Sequence, residues 1–185
     1  MANKTAYERV KAARRPDKIT TAELIHGLTS DFFEQHGDRL EADDPAIIGG
    51  IGLLNDKPIT VVGIQKGTDT DENIARHFGS PTPEGYRKAL RLMKQAEKFH
   101  RPILSLVNTP GAWPDVESEY HGQGSAVAQN ILQGMQLKVP YVTIIVGEGG
   151  SGGALALSCG DRVLMFEDSI YSVLSPEGYA SICLL

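Results

Sequence analysis

The sequence has little cysteine and no excess of positive charge. Its 185 residues include only two cysteines, Cys159 and Cys183, and both stand in apolar surroundings, so we expect buried, reduced thiols. Two cysteines cannot form a zinc ribbon by themselves, and they do not suggest a disulfide framework. The formal net charge of −5 argues against a general nucleic-acid-binding protein.

Long hydrophobic runs are also missing. No run of 18 apolar residues occurs, so the sequence predicts no membrane-spanning helix. Residues 1–16 are polar and basic and lack the apolar centre of a signal peptide, which favours a cytoplasmic protein. The apolar content of 41% and the charged content of 22% are ordinary for a globular chain long enough to form one domain with a core.

The hydrophobic pattern predicts an α/β domain over residues 19–185, preceded by a polar arm over residues 1–18. We expect the arm to be solvated or partly helical rather than a docking segment. The predicted helices cover residues 20–35, 83–99 and 119–135; the first starts with a capping box of Thr20 and Glu23 and has Phe32 and Phe33 in its apolar stripe, and the second has Tyr86 in its stripe. The predicted strands cover residues 47–54, 59–65, 103–107, 141–146, 162–166 and 170–174; residues 55–58 join the first two as a hairpin, and the sheet is expected to be largely parallel. A last helix starts near Pro176 and the sequence stops at Leu185, so we expect a truncated C-terminal end.

A glycine-rich segment, Gly147–Ala154, is the most informative stretch. Five of its first seven residues are glycine, and an apolar, β-branched run precedes it while small residues typical of a helix follow. Backbone N–H groups gather at such a helix start, where the helix dipole favours negative charge. A tight, closely packed turn would explain one or two glycines, whereas five favour an anion site.

Three chemistries fit this segment formally. Ser151 sits in a G-x-S-x-G pattern, but a serine hydrolase of this type needs a histidine after the serine, and all five histidines precede it. Gly147, Gly149 and Gly152 match the dinucleotide pattern G-x-G-x-x-G, with Glu167 20 residues after Gly147. The third reading is an oxyanion hole made by backbone N–H groups. The residues alone leave the choice between the last two open.

Basic residues near other strand ends offer candidate phosphate contacts. Lys66 and Arg76 flank a polar loop at residues 65–70, where ligand sites of α/β proteins collect. Arg87 and Lys88 lie on a basic helix that could border an anionic ligand such as coenzyme A. A solvated helix face and ordinary surface charges explain these residues equally well.

Five blocks of the sequence, in order, resemble the carboxyltransferase alpha subunits of bacterial acetyl-CoA carboxylase, from about residue 7 to about residue 182. The blocks are Gln65–Gly67, Pro83–Met93, Thr109–Ala112, Gly147–Ala154 and Tyr171–Gly178. The resemblance implies a crotonase-like (ClpP/crotonase) spiral of ββα units, which lacks its C-terminal end here.

The resemblance also implies a function. Alpha subunits of this family move the carboxyl group of carboxybiotin, carried on the biotin carboxyl carrier protein, to acetyl-CoA, giving malonyl-CoA for fatty acid biosynthesis. They are expected to work in an α2β2 assembly with a beta subunit that carries the zinc ribbon, and with biotin carboxylase in an ATP-binding complex. No metal is expected on this chain, and no membrane or nucleic acid among its partners. A truncated, inactive subunit that only binds partners is the alternative, beside a dinucleotide-binding oxidoreductase.

The resemblance further assigns roles to residues. The N–H groups of Gly152 and Gly153 would stabilise the ureido oxygen of biotin, while Gly149 and Gly150 shape the segment. The biotin-side loop would comprise Thr109, Pro110, Gly111 and Ala112. Glu117 and Glu148 are interpreted as structural rather than as acids or bases. The chain departs from the usual family pattern at Asn108, Trp113, Asp115, Tyr120 and His121.

Overall fold

The computed structural model describes residues 4–183, so the ends of the predicted arm and of the last predicted helix lie outside the described residues. Seven strands form one mixed sheet: β1 Ser30–Glu34, β2 Ile47–Leu54, β3 Lys57–Ile64, β4 Ile103–Thr109, β5 Tyr141–Gly150, β6 Arg162–Met165 and β7 Ile170–Ser172. The helices are α1 Ala6–Ala13, α2 Thr21–Leu28, α3 Thr70–Ala75, α4 Pro83–Lys98, α5 Val116–Tyr120, α6 Gln123–Gln136, α7 Ser151–Leu155 and α8 Pro176–Cys183. A 3₁₀ turn at His77–Gly79 follows α3.

The sheet begins antiparallel and continues parallel. β1, β2 and β3 pair antiparallel, and β3, β4, β5 and β6 then pair parallel in that order. β5 is long enough to pair with β6 at residues 142–145 and with β7 at residues 148–150. This arrangement confirms the predicted parallel sheet with a hairpin entry.

The predicted hairpin between β2 and β3 is confirmed, with a shorter turn than expected. Leu54 pairs with Lys57, so only Asn55 and Asp56 form the turn. Both have positive φ angles, 49° and 62°, as the favoured two-residue hairpin turns require. Lys57 and Pro58, which we expected in the turn, belong to β3.

The helix predicted for residues 20–35 is only half correct. Its predicted capping box is confirmed, since the Thr20 and Glu23 side chains each accept the other's backbone N–H. α2 nevertheless ends at Leu28, and the next residues form β1 against β2. Phe32 packs on the core while Phe33 is 68% exposed, which is the alternation of a strand.

The helix predicted for residues 119–135 begins later. Gly122 adopts φ = 85°, a left-handed conformation that separates α5 from α6. The start of α6 is therefore Gln123, and the preceding residues form α5, whose N-cap is the Asp115 side chain, accepting from the Ser118 N–H at 2.8 Å.

The core has one layer on each face of the sheet. α4 packs against α6, β2 and β3, around buried residues such as Leu92 and Met93. α2 covers the other face, where Ile25 meets Val61 and Leu106. Lys88 of α4, predicted on a solvated face, is instead buried at 1% exposure, because its ammonium reaches the Ile47 carbonyl oxygen at 2.8 Å.

The described part of the N-terminal arm is not simply solvated. α1 packs against β5 and β7, and Ala13 at its end is 2% exposed.

Among the cysteines, Cys159 is half-buried, and burial raises the pKa of its thiol. Cys183 is exposed, so the prediction of a buried thiol is wrong there. Within residues 4–183, no helix is both long and apolar enough to cross a membrane.

Candidate functional site

The glycine segment is a strand end joined directly to a helix. β5 continues through Gly150, and α7 follows at Ser151, which has a positive φ of 52°. We predicted a separate glycine loop followed by a helix from Ala154. In the structure the first glycines belong to the end of β5 and the later ones to the first turn of α7. The cause is pairing of residues 148–150 with β7, which extends β5 beyond its apolar run.

The glycine segment lies directly against the Pro110–Ala112 segment. A Cβ atom on Gly150 would lie 2.1 Å from the Pro110 carbonyl oxygen, and one on Gly153 would lie 2.4 Å from the Ala112 nitrogen. Two segments that are about 40 residues apart in the sequence are thus in direct backbone contact, and we call this contact the junction. Only glycine at these positions allows this close approach.

The Thr109 side chain holds the first of these blocks in a tight turn. Its hydroxyl donates to the Gly111 carbonyl oxygen at 2.8 Å and accepts from the Gly111 N–H at 3.0 Å. Gly111 has φ = 151°, and apart from its two neighbours in the chain no residue has an atom within 4 Å of the position that its Cβ would occupy. The turn is consequently fixed by a side chain while leaving space beside Gly111.

The start of α7 offers backbone donors. Its N-cap, Gly150, provides no capping side chain, and the first N–H groups of a helix have no acceptor within the helix. A Cβ on Gly152 would meet only Val127, at 3.5 Å, so this position is partly open. The segment can therefore hold an oxygen atom that carries negative charge.

Glu148 is held as an anion beneath this junction. It accepts from Lys66 Nζ at 2.6 Å and from Arg14 Nε at 2.7 Å. Burial alone would raise the pKa of Glu148, but the charges of Lys66 and Arg14 outweigh it and keep the pKa below its usual range. The Asn108 side-chain oxygen accepts from the Glu148 N–H at 3.0 Å. This geometry is that of a structural anchor rather than of an acid or base.

A basic cavity of about 270 Å³ adjoins Glu148. Its lining includes four cations: Arg14, Arg15, Lys18 and Lys66. A small cavity of about 60 Å³ beside it is lined by Pro110, Gly149 and Gly150 among others. Of the three candidate phosphate contacts, only Lys66 lines the larger cavity.

The other two candidate cations have partners elsewhere. Arg76 donates to the Pro45 carbonyl oxygen. Arg87 donates to Asp38 at 2.7 Å, to Glu84 at 2.8 Å and to the His121 carbonyl oxygen at 2.9 Å. The structure therefore does not gather these candidates into one phosphate site, and it uses Arg87 to tie α4 to its neighbours.

Among the described residues, the side chains of Glu41, Glu84 and His121 are close enough together to hold a metal ion. The Arg87 guanidinium already donates to Glu84 and lies 3.4 Å from Glu41. A hydrogen bond to Glu84 raises the pKa of His121, which favours imidazolium over a metal-binding imidazole. The group is better described as an ion-pair network.

Sequence reasoning missed two residues of this region. Arg14 was placed on a solvated arm, because its partners Glu148 and Glu177 are more than 130 residues away. Tyr86 was placed in the apolar stripe of α4, yet its buried hydroxyl lies next to Gly153. Nothing in the local pattern around either residue indicates these long-range contacts.

Comparison with known proteins identifies the family. The family described as acetyl co-enzyme A carboxylase carboxyltransferase-like matches residues 1–184. The chain is also 57% identical over 173 residues to the acetyl-coenzyme A carboxylase carboxyl transferase subunit alpha of Streptococcus pneumoniae strains D39 and Hungary19A-6, covering 94% of the chain and 68% of each relative. The chain belongs to this alpha-subunit family. The dinucleotide alternative loses its support, since α7 has only five residues where that motif opens a long helix.

Solved structures support the crotonase-like fold of the alpha-subunit family. Transcarboxylase 12S aligns with a TM-score of 0.77 and 18% identity, over 94% of the chain. The beta subunit of P. aeruginosa geranyl-CoA carboxylase aligns with a TM-score of 0.72 and 22% identity, over 92% of the chain. The chain spans only 33% and 34% of these two proteins, which at such identity inform on the fold alone.

Proposed function

We propose that this alpha-family chain catalyses the carboxyl-transfer half-reaction of acetyl-CoA carboxylase together with a beta subunit. Carboxybiotin on the biotin carboxyl carrier protein would be the donor, acetyl-CoA the acceptor, and malonyl-CoA the product, which commits carbon to fatty acid biosynthesis. The observation that carries the proposal is the backbone junction of Gly150 and Gly153 with Pro110 and Ala112, in a chain 57% identical to named alpha subunits.

The junction suits a reaction in which charge appears on an oxygen. Carboxybiotin supplies the carboxyl group and, once this is released, a nitrogen that accepts the methyl proton of acetyl-CoA, so that a C–N bond breaks and a C–C bond forms. Gly152 and Gly153 would donate their N–H groups to the ureido oxygen of biotin. Donors aimed at developing charge stabilise the transition state more than the ground state.

The side chains around the junction would bind and orient rather than transfer protons. Glu148 accepts from both Lys66 and Arg14, and these two cations keep its pKa low, so it stays ionised and is held in place. Thr109 fixes the turn that faces α7. No general base is then required from this chain, which is consistent with the proton going to the donor's own nitrogen.

The remaining partner assignments rest on the family. A zinc-ribbon beta subunit would complete the site in an α2β2 assembly, and biotin carboxylase would recharge the carrier in the cytoplasm. Lys66 is the best-placed of the candidate contacts for phosphates of coenzyme A, since it lines the basic cavity. Arg76 and Arg87 are weaker candidates because neither of them lines this cavity.

The test is an assay of the reverse reaction. The chain is co-purified with the beta subunit of the same genome, and malonyl-CoA-dependent carboxylation of biocytin is followed by the release of acetyl-CoA. We expect turnover only when both subunits are present. A pair that forms without turnover would support the alternative of an inactive, partner-binding subunit and reject the proposal.

A further inference from the structure

The hydroxyl group of Tyr86 has no hydrogen-bond partner among residues 4–183. The side chain is completely buried, at 0% exposure. A Cβ on Gly153 would lie 2.7 Å from this hydroxyl and 2.4 Å from the Ala112 nitrogen, so the phenol ends at the junction of the two blocks. A buried donor without a partner therefore lies beside Gly153, one of the two proposed oxyanion donors.

The position of this hydroxyl is fixed from several sides. Asn130 Nδ2 donates to the Tyr86 carbonyl oxygen at 2.8 Å and so ties α4 to α6 at this residue. The Tyr86 ring packs with Ala126 and Ala156. Burial raises the pKa of the phenol, which keeps it protonated and able to donate. These contacts hold the ring, and with it the hydroxyl oxygen, at the junction with Gly153.

A second buried tyrosine shows the usual arrangement. Tyr141 is 2% exposed, and its hydroxyl donates to the Leu157 carbonyl oxygen at 2.7 Å. A buried donor without an acceptor is unfavourable, and such groups are uncommon in folded proteins. The contrast singles out Tyr86 as a donor that the free protein does not use.

We propose that Tyr86 is a positioning residue for carboxyl transfer. Its hydroxyl donates to a backbone carbonyl of the Pro110–Ala112 segment when the ureido ring of biotin is seated against Gly152 and Gly153. A hydrogen bond made only in this loaded arrangement stabilises it selectively, and so lowers the barrier without adding stability to the free protein. The proposal rests on the proposed carboxyltransferase function.

The experiment compares Tyr86→Phe with Tyr141→Phe, each purified with the beta subunit and assayed with malonyl-CoA and biocytin. For Tyr86→Phe we expect kcat/KM for biocytin to fall roughly 10- to 100-fold, since small errors in positioning have effects of this size. The KM for malonyl-CoA should stay unchanged, and the melting temperature should be equal or higher, because an unused buried donor is removed. Tyr141→Phe should show the reverse: a lower melting temperature and wild-type kinetics.

Two results would overturn the proposal: wild-type kcat/KM in Tyr86→Phe, or a fall in its melting temperature like that of Tyr141→Phe, which would mean that the hydroxyl is already bonded in the free protein. Failure of the proposed function gives a different pattern. In that case the wild-type pair itself shows neither turnover nor calorimetric binding of biocytin, and the positioning role is rejected together with the function.

Discussion

Gly150 and Pro110 are in direct backbone contact: a Cβ atom at position 150 would lie 2.1 Å from the Pro110 carbonyl oxygen. The contact joins the end of β5 to the segment after β4. Since Gly150 has ordinary extended dihedrals, φ −97° and ψ 124°, space rather than backbone conformation demands glycine here. The geometry of the candidate site thus requires a residue without a side chain at position 150.

Replacing Gly150 by alanine should therefore destabilise the chain. The added methyl group meets backbone atoms, which cannot rotate away, so we expect a loss of about 3 kcal/mol in the free energy of unfolding, at the upper end for overpacking. Urea denaturation measures the effect. Gly124→Ala is the matched control, because nothing lies within 4 Å of its Cβ position. That variant should be neutral or stabilising by up to about 1 kcal/mol. Equal stability of the two variants would contradict the contact.

Lys88→Met tests the buried lysine of α4. Lys88 Nζ lies 2.8 Å from the Ile47 carbonyl oxygen and 2.8 Å from Asp43 Oδ1, with the side chain 1% exposed. Methionine fills similar space but leaves both acceptors without this donor, so we expect a loss of about 2–3 kcal/mol in unfolding free energy. Lys94→Met, an exposed position on the same helix, should change it by less than about 0.5 kcal/mol. Similar effects for the two variants would reject the bonding role of Lys88.

Lys88 also illustrates the limit of sequence analysis for this fold. The period of α4 was predicted correctly, but charge alone placed Lys88 on the solvated face, and only the tertiary position of Ile47 explains its burial. The helix prediction for residues 29–35 was wrong for a related reason. Phe32 and Phe33 fit the apolar stripe of a helix, but pairing with β2 makes this segment a strand. Helices and strands that follow from the local hydrophobic pattern were predictable. Burial and strand pairing that depend on residues distant in the sequence were not.

The candidate site shows the same division. The glycine block and the Thr109–Ala112 block were recognised from composition and resemblance, because close backbone approach requires particular residue types. Their mutual contact was not predictable, since it depends on how β4 and β5 pair. The anchoring of Glu148 by Arg14 was missed because no local signal links residues 134 positions apart.

The ion pair between Arg14 and Glu177 predicts an acid-sensitive attachment of α8 to α1. The two groups form a bidentate pair at 2.7 and 3.1 Å, and the hydrogen bond from Arg14 lowers the pKa of Glu177 to about 2. A carboxylate whose pKa is lower in the folded state contributes stability above the unfolded pKa of 4.5, and this is lost as the pH falls toward 2.

Urea midpoints of wild type and Glu177→Gln should therefore differ at pH 7 and converge as the pH falls below about 4.5. The difference at neutral pH should shrink in 1 M salt, because the Glu177 carboxylate is exposed. Glu119→Gln removes another exposed carboxylate, one without a side-chain hydrogen bond or ion pair to residues 4–183, and should show no such difference at neutral pH. A gap for Glu177→Gln that persists unchanged at low pH would exclude the ion pair as its cause.

A proline at Gly152 removes the proposed oxyanion donor. Proline has no N–H group but is tolerated in the first turn of a helix, where that N–H has no helical acceptor. Alanine at the same position keeps the N–H, and its Cβ would meet only Val127, at an ordinary 3.5 Å. Proline also disfavours the positive φ of Ser151, so the comparison isolates the donor only if both variants keep the wild-type melting temperature.

With the beta subunit present, Gly152→Pro should lower kcat by about 10²–10³, the usual cost of losing one oxyanion donor. Gly152→Ala should retain kcat within about tenfold, and both variants should keep the wild-type KM for malonyl-CoA, because the donor faces the biotin side. Circular dichroism and melting temperatures establish that both are folded. If proline and alanine lower kcat equally while both remain folded, space at position 152 rather than its N–H group is what the reaction requires, and the oxyanion role of Gly152 is rejected.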